Sequence, residues 1–197
     1  MLHNILEAFS VVLASASPRR QELLQMLQIA YDIRISEIAE PITDDDPAIQ
    51  AMNHARNKAT AVAQPSNKSE LVVAADTIVV LGKRILGKPN SISQAQEYLQ
   101  ALSGKEHTVI TGLAIGNQGC YYSDYECSLV QFADLSTDEI ISYIESKEPM
   151  DKAGAYGIQG LGSQFIRGIQ GCYFNVMGFP IHKFYTMLSR LQKEGKI

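Results

Sequence analysis

The chain of 197 residues is 46% hydrophobic, which is enough to bury one sizeable core. Its formal net charge of −4 argues against binding a nucleic-acid polymer, because such binding needs a basic surface, although a few local cations would suffice for a small anionic ligand. No apolar stretch approaches the length of a membrane span, and the first ten residues lack the basic region of a signal peptide. The three cysteines (Cys120, Cys127 and Cys172) lack metal-ligand spacing, which predicts free thiols in a protein of the reducing cytoplasm.

The first half of the chain alternates between predicted strands and helices. Ser17 and Asp46 are each followed by a proline, a pattern that places a capping residue before the first helical position. The run at 71–81 is almost wholly apolar and is long enough for a central strand. The expected elements are strands at about 11–14, 31–36 and 71–81 and helices at about 18–28 and 47–63.

The second half predicts a hairpin, an antiparallel meander and further helices. Gly82 with Lys83 suits a tight turn after the apolar run. Two capping boxes, Ser93 with Gln96 and Ser136 with Glu139, predict helix starts. The expected elements are helices ending at about 102 and 147, strands at about 107–115 and 121–132, short strands after a glycine-rich loop, and a helix from about 180. No internal repeat or linker interrupts this order, so we expect one domain over residues 1–197 with a mixed α/β fold.

Two arginines stand in an unusual place, directly after the first predicted strand. Arg19 and Arg20 fall in the first turn of a helix, where the helix dipole disfavours cations and favours anions. A bound anion would explain this placement, and Ser15 and Ser17 could add hydroxyl donors. The alternative is that both arginines pair with surface carboxylates such as Glu22 or point into water.

Asp76 is the one charged residue in the apolar run at 71–81. A buried carboxylate is costly unless it is paired, hydrogen-bonded or bound to a metal. Burial in an apolar surround would raise its pKa and suit it to accept a proton, and a carboxylate there could also hold a divalent cation. The alternative is that Asp76 marks a bend between two shorter strands.

Three lysines and one glutamate are further candidates for a site that binds an anion and a metal. Lys58 interrupts a stripe of small residues at helical spacing, so it either reaches out to solvent from the edge of that stripe or faces a phosphate. Lys88 lies between a glycine and a proline, and Lys152 lies in a loop rich in glycine; either alone would be taken for a solvated charge. Glu40 lies in an acidic loop and, with Asp76, is the best-placed metal ligand. The four histidines show no zinc spacing.

Six motifs in order make the sequence similar to the Maf family of nucleoside triphosphate pyrophosphatases, which is named for a link to septum formation. They are L-A-S-A-S-P-R-R at 13–20, Glu40, A-R-N-K-A at 55–59, A-A-D-T at 74–77, L-G-K-P at 86–89 and D-K-A-G-A-Y-G-I-Q-G at 151–160. The resemblance covers about residues 11–188. It implies a fold like that of the inosine triphosphate pyrophosphatases: a mixed, elongated central sheet flanked by helices, with two lobes around a cleft.

The resemblance also implies an activity and a site. Family members use Mg²⁺ or another divalent cation, such as Mn²⁺, to cleave a nucleoside triphosphate into the monophosphate and pyrophosphate. Asp76 matches the proposed proton acceptor; Glu40 and Asp76 would hold the metal. The substrate-binding positions would be Ser15, Arg20, Lys58, Lys88 and Lys152. Ala39 departs from the family, which often has an aspartate there.

Three positions distinguish the substrate classes of the family. Arg19, Thr77 and Gln159 match members that prefer dTTP and UTP, whereas members that prefer 7-methyl-GTP carry other residues there. The opening motif does not match the inosine triphosphate pyrophosphatases. Two alternatives remain: a 7-methyl-GTP pyrophosphatase, and a regulator of cell division that binds nucleotides without turnover. Family members are commonly homodimers, and neither a nucleic acid nor a membrane is expected as a partner.

Overall fold

A computed structural model describes residues 2–43, 45–64 and 69–197. The described chain forms seven strands and seven α-helices. The strands are β1 (Ser10–Leu13), β2 (Asp32–Ile33), β3 (Glu70–Leu81), β4 (Arg84–Leu86), β5 (Glu106–Asn117), β6 (Cys120–Phe132) and β7 (Ile166–Gln170). The helices are α1 (Leu2–Leu6), α2 (Pro18–Met26), α3 (Pro47–Val62), α4 (Ile92–Leu102), α5 (Thr137–Glu145), α6 (Tyr173–Met177) and α7 (Ile181–Lys193). Across these ranges, no helix combines the length and apolar character that crossing a bilayer requires.

The seven strands form one mixed sheet, which confirms the predicted mixed α/β class. Their order is β2-β1-β3-β5-β6-β7, with β4 paired to β3. β1 runs parallel to both β2 and β3, whereas β4 and β7 run antiparallel to their partners. The predicted hairpin after the apolar run is confirmed, since Leu81 pairs with Arg84 across the turn.

The backbone packs as two compact units, each assembled from separate parts of the chain. The first unit comprises residues 1–76, 111–126 and 178–197, and the second comprises 77–110 and 127–177. The single domain expected over 1–197 stays a prediction.

Small residues on α3 form part of the core of the first unit. Ala55 and Ala59 pack with strand residues such as Val12 and Val72. The helix also comes very close to β5 at Gly112. A Cβ added at this glycine would lie only 2.3 Å from the carbonyl oxygen of Ala51. Only glycine allows this approach of helix to strand, and α3 is thereby held against the sheet.

The core of the second unit contains an aromatic cluster built around a histidine. His107 is 2% exposed, and its ring meets those of Phe132 and Tyr156 edge to face at centroid distances of 5.1 and 5.3 Å. Its Nε2 lies 2.6 Å from the hydroxyl oxygen of Tyr156. Its Nδ1 is buried, and no described residue offers it a hydrogen-bond partner. Burial lowers the pKa of His107 to about 4, so the ring is neutral near pH 7.

Helix caps explain most of the predicted helix starts. Asp46 caps α3 by accepting from the amide of Ala48 at 2.8 Å, and Ser136 with Glu139 forms the predicted capping box of α5. Ser17 stands at the N-cap of α2, but its side chain makes no capping bond. The aspartate run at 44–46 as a whole is typical of helix capping, but its first residue, Asp44, lies outside the described residues.

Three predictions about the elements need correction, and two short helices were not predicted. The cap of α4 is Ser91, which accepts from the amide of Gln94 at 3.1 Å; the same serine-to-glutamine spacing occurs again at Ser93, so the predicted box was wrong by two residues. β2 is only two residues long rather than 31–36. The short strands expected after the glycine-rich loop are the single strand β7, preceded by three 3-10 turns (Glu148–Asp151, Ala153–Ala155 and Gly160–Phe165). The short helices α1 and α6, of five residues each, were not predicted.

Candidate active site

Asp76 lies inside the continuous strand β3, so the alternative of a bend between two strands is wrong. The residue is 6% exposed. Its two oxygens have different partners: Oδ1 accepts from Nζ of Lys58 at 2.7 Å, and Oδ2 lies 3.0 Å from Nδ1 of His54. Both partners come from α3, which positions them one helical turn apart. The buried carboxylate is therefore fully paired.

Both ring nitrogens of His54 face hydrogen-bond acceptors, an arrangement that requires a hydrogen on each nitrogen. Its Nε2 lies 3.1 Å from the carbonyl oxygen of Pro41, which can only accept, and its Nδ1 faces the ionised carboxylate of Asp76, which can also only accept. The hydrogen bond to Asp76 raises the pKa of His54 above its ordinary value, against the opposing effect of burial. The ring is thus an imidazolium that links Asp76 to the backbone beside Glu40.

The pKa of Asp76 is shifted opposite to the direction expected from its apolar neighbours in sequence. Burial raises its pKa, but the hydrogen bond from His54, the charge and hydrogen bond of Lys58 and the charge of Arg20 together outweigh burial. The net result is a pKa well below the ordinary range. The prediction of a raised pKa was wrong because the three cations come from other elements and are not visible in the apolar run itself.

Lys58 bridges the two predicted metal ligands. Its Nζ lies 2.7 Å from Oε1 of Glu40 as well as 2.7 Å from Oδ1 of Asp76. The side chain of Lys58 is 9% exposed, whereas that of Glu40 is 37% exposed. The alternative in which Lys58 reaches out to solvent is therefore wrong. Two carboxylates, one buried and one open to solvent, converge on a single cation.

Arg20 and Ser15 lie together after β1. The Nη1 of Arg20 donates to Oγ of Ser15 at 3.0 Å, and its Nε donates to the carbonyl of Gly178 at 2.8 Å. Burial lowers the pKa of Arg20, and the negative charge of Asp76 opposes this. Arg20 is buried, so the alternative that it pairs at the surface or points into water is wrong for this residue; Arg19, its neighbour in the first turn of α2, is half-buried.

The first unit thus brings together five of the predicted site residues and adds His54. Three positive side chains (Arg20, His54 and Lys58) face two carboxylates (Asp76 and Glu40), which leaves one net positive charge in a chain whose overall charge is −4. A local positive charge of this kind favours an anionic ligand.

The predicted residues Thr77, Lys88, Lys152 and Gln159 belong to the second unit. Thr77 directly follows Asp76 in β3 and is half-buried, and Lys88 is exposed in the loop after β4. The two loops that carry Lys88 and Lys152 are joined by a hydrogen bond from the amide of Gly154 to the carbonyl of Gly87 at 3.1 Å. Lys152 donates to the carbonyl of Glu148 at 2.6 Å and to Asp151 at 2.7 Å.

Glu148 fixes the loop that contains Gln159. Its Oε2 accepts from the amide of Leu161 at 2.9 Å, and its Oε1 accepts from the amide of Gly162 at 3.1 Å and from the hydroxyl of Tyr143 at 3.0 Å. These bonds lower the pKa of Glu148, although burial acts in the opposite direction. The carboxylate thus holds the backbone directly after Gly160, whose φ of +74° suits glycine.

A second ion pair fixes the chain that leads to Glu40. The Nη1 and Nη2 of Arg34 donate to the two carboxylate oxygens of Glu70, at 2.8 and 2.5 Å, and Nη1 also donates to the carbonyl of Val62 at 3.1 Å. Glu70 begins β3 and is buried, and Val62 ends α3. One guanidinium therefore joins the segment after β2 to the strand and the helix that carry the site.

His54 is the site residue that sequence reasoning missed. The histidines were dismissed because their spacing does not suit zinc. Its position four residues before Lys58 places both side chains on the same face of a helix, and this was the signal that could have found it.

Metal ligands are few at this site. Among the described residues, no group of three or more His, Cys, Asp or Glu side chains is suited to hold a metal ion. The candidate metal ligands are therefore the two carboxylates of Glu40 and Asp76.

Comparison with known proteins shows the family to which the chain belongs. Residues 10–191 match the family model described as Maf-like protein, and the chain belongs to this family. The predicted resemblance is confirmed.

Curated relatives of known name match most of the chain. A dTTP/UTP pyrophosphatase from Bacillus cereus (strain G9842) is 46% identical over 181 residues, which are 91% of this chain and 94% of that protein. A protein of the same name from Bacillus anthracis (strain CDC 684 / NRRL 3495) matches with the same identity and coverage. Among solved structures, a HAM1 protein from Coxiella burnetii matches at 20% identity with a TM-score of 0.44, covering 80% of each chain. The Staphylococcus aureus Ham1 protein matches at 16% identity with a TM-score of 0.45, covering 80% of this chain and 79% of that one.

Proposed function

We propose that this protein is a nucleoside triphosphate pyrophosphatase that hydrolyses dTTP and UTP to the monophosphate and pyrophosphate. Its relatives at 46% identity bear that name, and the family match spans residues 10–191. The structural observation that carries the proposal is the Asp76 cluster, in which one buried carboxylate is held among three cations. Such a cluster offers a positive environment for phosphates, and Asp76 becomes more basic, and so able to accept a proton, when a triphosphate draws Lys58 away from it.

In the proposed reaction, a water oxygen attacks the α-phosphorus and Asp76 accepts its proton. The bond between the α-phosphorus and the α–β bridging oxygen breaks, and pyrophosphate leaves with the electron pair. Arg20 and Lys58, together with the hydroxyl of Ser15, would donate to phosphate oxygens. Because Lys58 now binds Asp76 and Glu40, an incoming triphosphate would compete with these carboxylates for the ammonium group.

The same residues fit a divalent cation. Glu40 and Asp76 already converge on one positive charge, the Lys58 ammonium, and two carboxylates plus substrate phosphates are a usual environment for Mg²⁺. We propose that Glu40 and Asp76 hold Mg²⁺ or Mn²⁺. The cation would supply neutralisation of the phosphate charge.

Residues of the second unit complete the proposal. Lys88 and Lys152 would bind substrate, and Arg19, Thr77 and Gln159 would select dTTP and UTP, as the family resemblance implies. A cytoplasmic location and a homodimeric state stay predictions.

Pyrophosphate release from a panel of nucleotides tests the activity. With Mg²⁺ or Mn²⁺, dTTP and UTP should be hydrolysed with a higher kcat/KM than 7-methyl-GTP or ITP. Asp76→Asn should abolish hydrolysis and leave the circular dichroism spectrum intact, whereas Asp138→Asn, at an exposed carboxylate of α5, serves as the matched control and should keep activity. Tight binding of dTTP without pyrophosphate release would favour the regulator, and near wild-type turnover of Asp76→Asn would contradict its role as the base.

A further inference from the structure

The position of His54 on α3 calls for an explanation beyond packing. Its neighbours on the buried face of the helix are Ala51, Ala55 and Ala59, all fully buried. A histidine among alanines brings two polar nitrogens into a core that needs none. Both nitrogens find acceptors, and each acceptor belongs to a segment that carries a site carboxylate.

The two hydrogen bonds of His54 reach different parts of the site. Nδ1 holds Oδ2 of Asp76, which leaves Oδ1 to Lys58 and so fixes the rotation of the carboxylate. Nε2 holds the carbonyl of Pro41, the residue next to Glu40. The side chain of Glu40 is held by Lys58, and the backbone that follows it is held by His54.

We propose that His54 is a positioning residue that sets the Asp76 carboxylate and the Glu40 segment relative to each other. This proposal rests on the proposed function, in which both carboxylates act on the substrate complex. His54 does not touch the substrate. It acts through Asp76 on the reaction step, and through Pro41 on the placement of Glu40 and hence on the metal requirement.

The two bonds can be separated by substitution. The amide nitrogen of an asparagine stands where Nδ1 stands in histidine, so His54→Asn keeps a donor for Asp76 and loses the bond to Pro41. The amide nitrogen of a glutamine reaches toward the position of Nε2, so His54→Gln keeps a donor for Pro41 and loses the bond to Asp76. His54→Leu removes both donors. Asn53→Leu makes a leucine substitution on the exposed face of the same helix and is the matched control.

Steady-state kinetics at varied Mn²⁺ concentration should divide the variants. His54→Gln should lower kcat for dTTP by about 10- to 100-fold at saturating Mn²⁺ with KM little changed, since support of a reacting group affects the reaction step. His54→Asn should retain most of kcat but need about 10-fold more Mn²⁺ for half-maximal rate. His54→Leu should show both effects, and Asn53→Leu neither.

Limited proteolysis supplies a measurement that does not depend on turnover. Cleavage by proteinase K within residues 38–43 should be faster in His54→Asn and His54→Leu than in the wild type, and should match the wild type in His54→Gln and Asn53→Leu. If the wild-type protein releases no pyrophosphate from any nucleotide, the proposed function fails while this cleavage pattern still tests the bond to Pro41. If the enzyme is active and the three His54 variants are alike, either unchanged or equally impaired together with a lowered Tm, His54 is a packing residue only and the proposal is overturned.

Discussion

Lowering the pH from 7 to 5 is expected to destabilise the protein by about 2 kcal/mol through His107 alone. The buried ring has a pKa of about 4 in the folded protein, because burial disfavours its charged form, whereas the ordinary pKa of histidine is 6.5. As the pH falls, His107 therefore binds a proton in the unfolded chain before it does so in the folded chain. Stability falls as the pH drops below 6.5, and the loss reaches about 3 kcal/mol once the pH is below the folded pKa.

Urea denaturation at a series of pH values between 7.5 and 4.5 would measure this effect. Protonation of carboxylates with a lowered pKa, such as Glu148, also destabilises the protein on acidification. The contribution of His107 is therefore measured as the difference in pH dependence between the wild type and His107→Leu. The variant should have a flatter dependence on pH. Phe132→Leu alters the same aromatic cluster without removing a titrating group, so it should lower stability at every pH and keep the wild-type slope. Equal slopes for wild type and His107→Leu would refute the reasoning.

Two further predictions follow from close contacts. Gly112→Ala would place a Cβ 2.3 Å from a backbone oxygen of α3, so we expect a loss of about 1–3 kcal/mol of stability by chemical denaturation and reduced hydrolysis, because the helix carries His54 and Lys58. Unchanged activity would show that the site tolerates displacement of α3. Glu148→Gln would place the side-chain NH₂ group, a donor, near the backbone N–H groups from which the carboxylate accepts hydrogen bonds. We therefore expect faster amide exchange at 157–162 and weaker discrimination between dTTP and other triphosphates. If the ratio of kcat/KM for dTTP to kcat/KM for the other triphosphates were unchanged, the anchoring of this loop by Glu148 would not determine substrate selectivity.

Strand β3 and its carboxylate could be predicted because their signals are local. A buried central strand is a continuous apolar run in the sequence, and Asp76 is conspicuous as the exception within it. The helix that begins after Asp46 could be predicted equally well, because a capping residue and a proline mark its start.

The electrostatics of the site could not be predicted from the same local signals. The sign of the pKa shift of Asp76 depends on His54, Lys58 and Arg20, which are 18 to 56 positions away along the chain and approach only on folding. β2 stops after two residues, and the next residue, Arg34, uses its side chain to bind Glu70 on another strand. Helix α1 has five residues, too few for a helical period to be recognised.

The segment 35–40 is anchored at both ends, by Arg34 on Glu70 and by Pro41 on His54. Fixing both ends of a short segment removes most of its conformational freedom when the chain folds, so less freedom remains to be lost when a ligand engages Glu40. Affinity for such a ligand is thereby coupled to an ion pair at the start of β3 that the ligand need never touch.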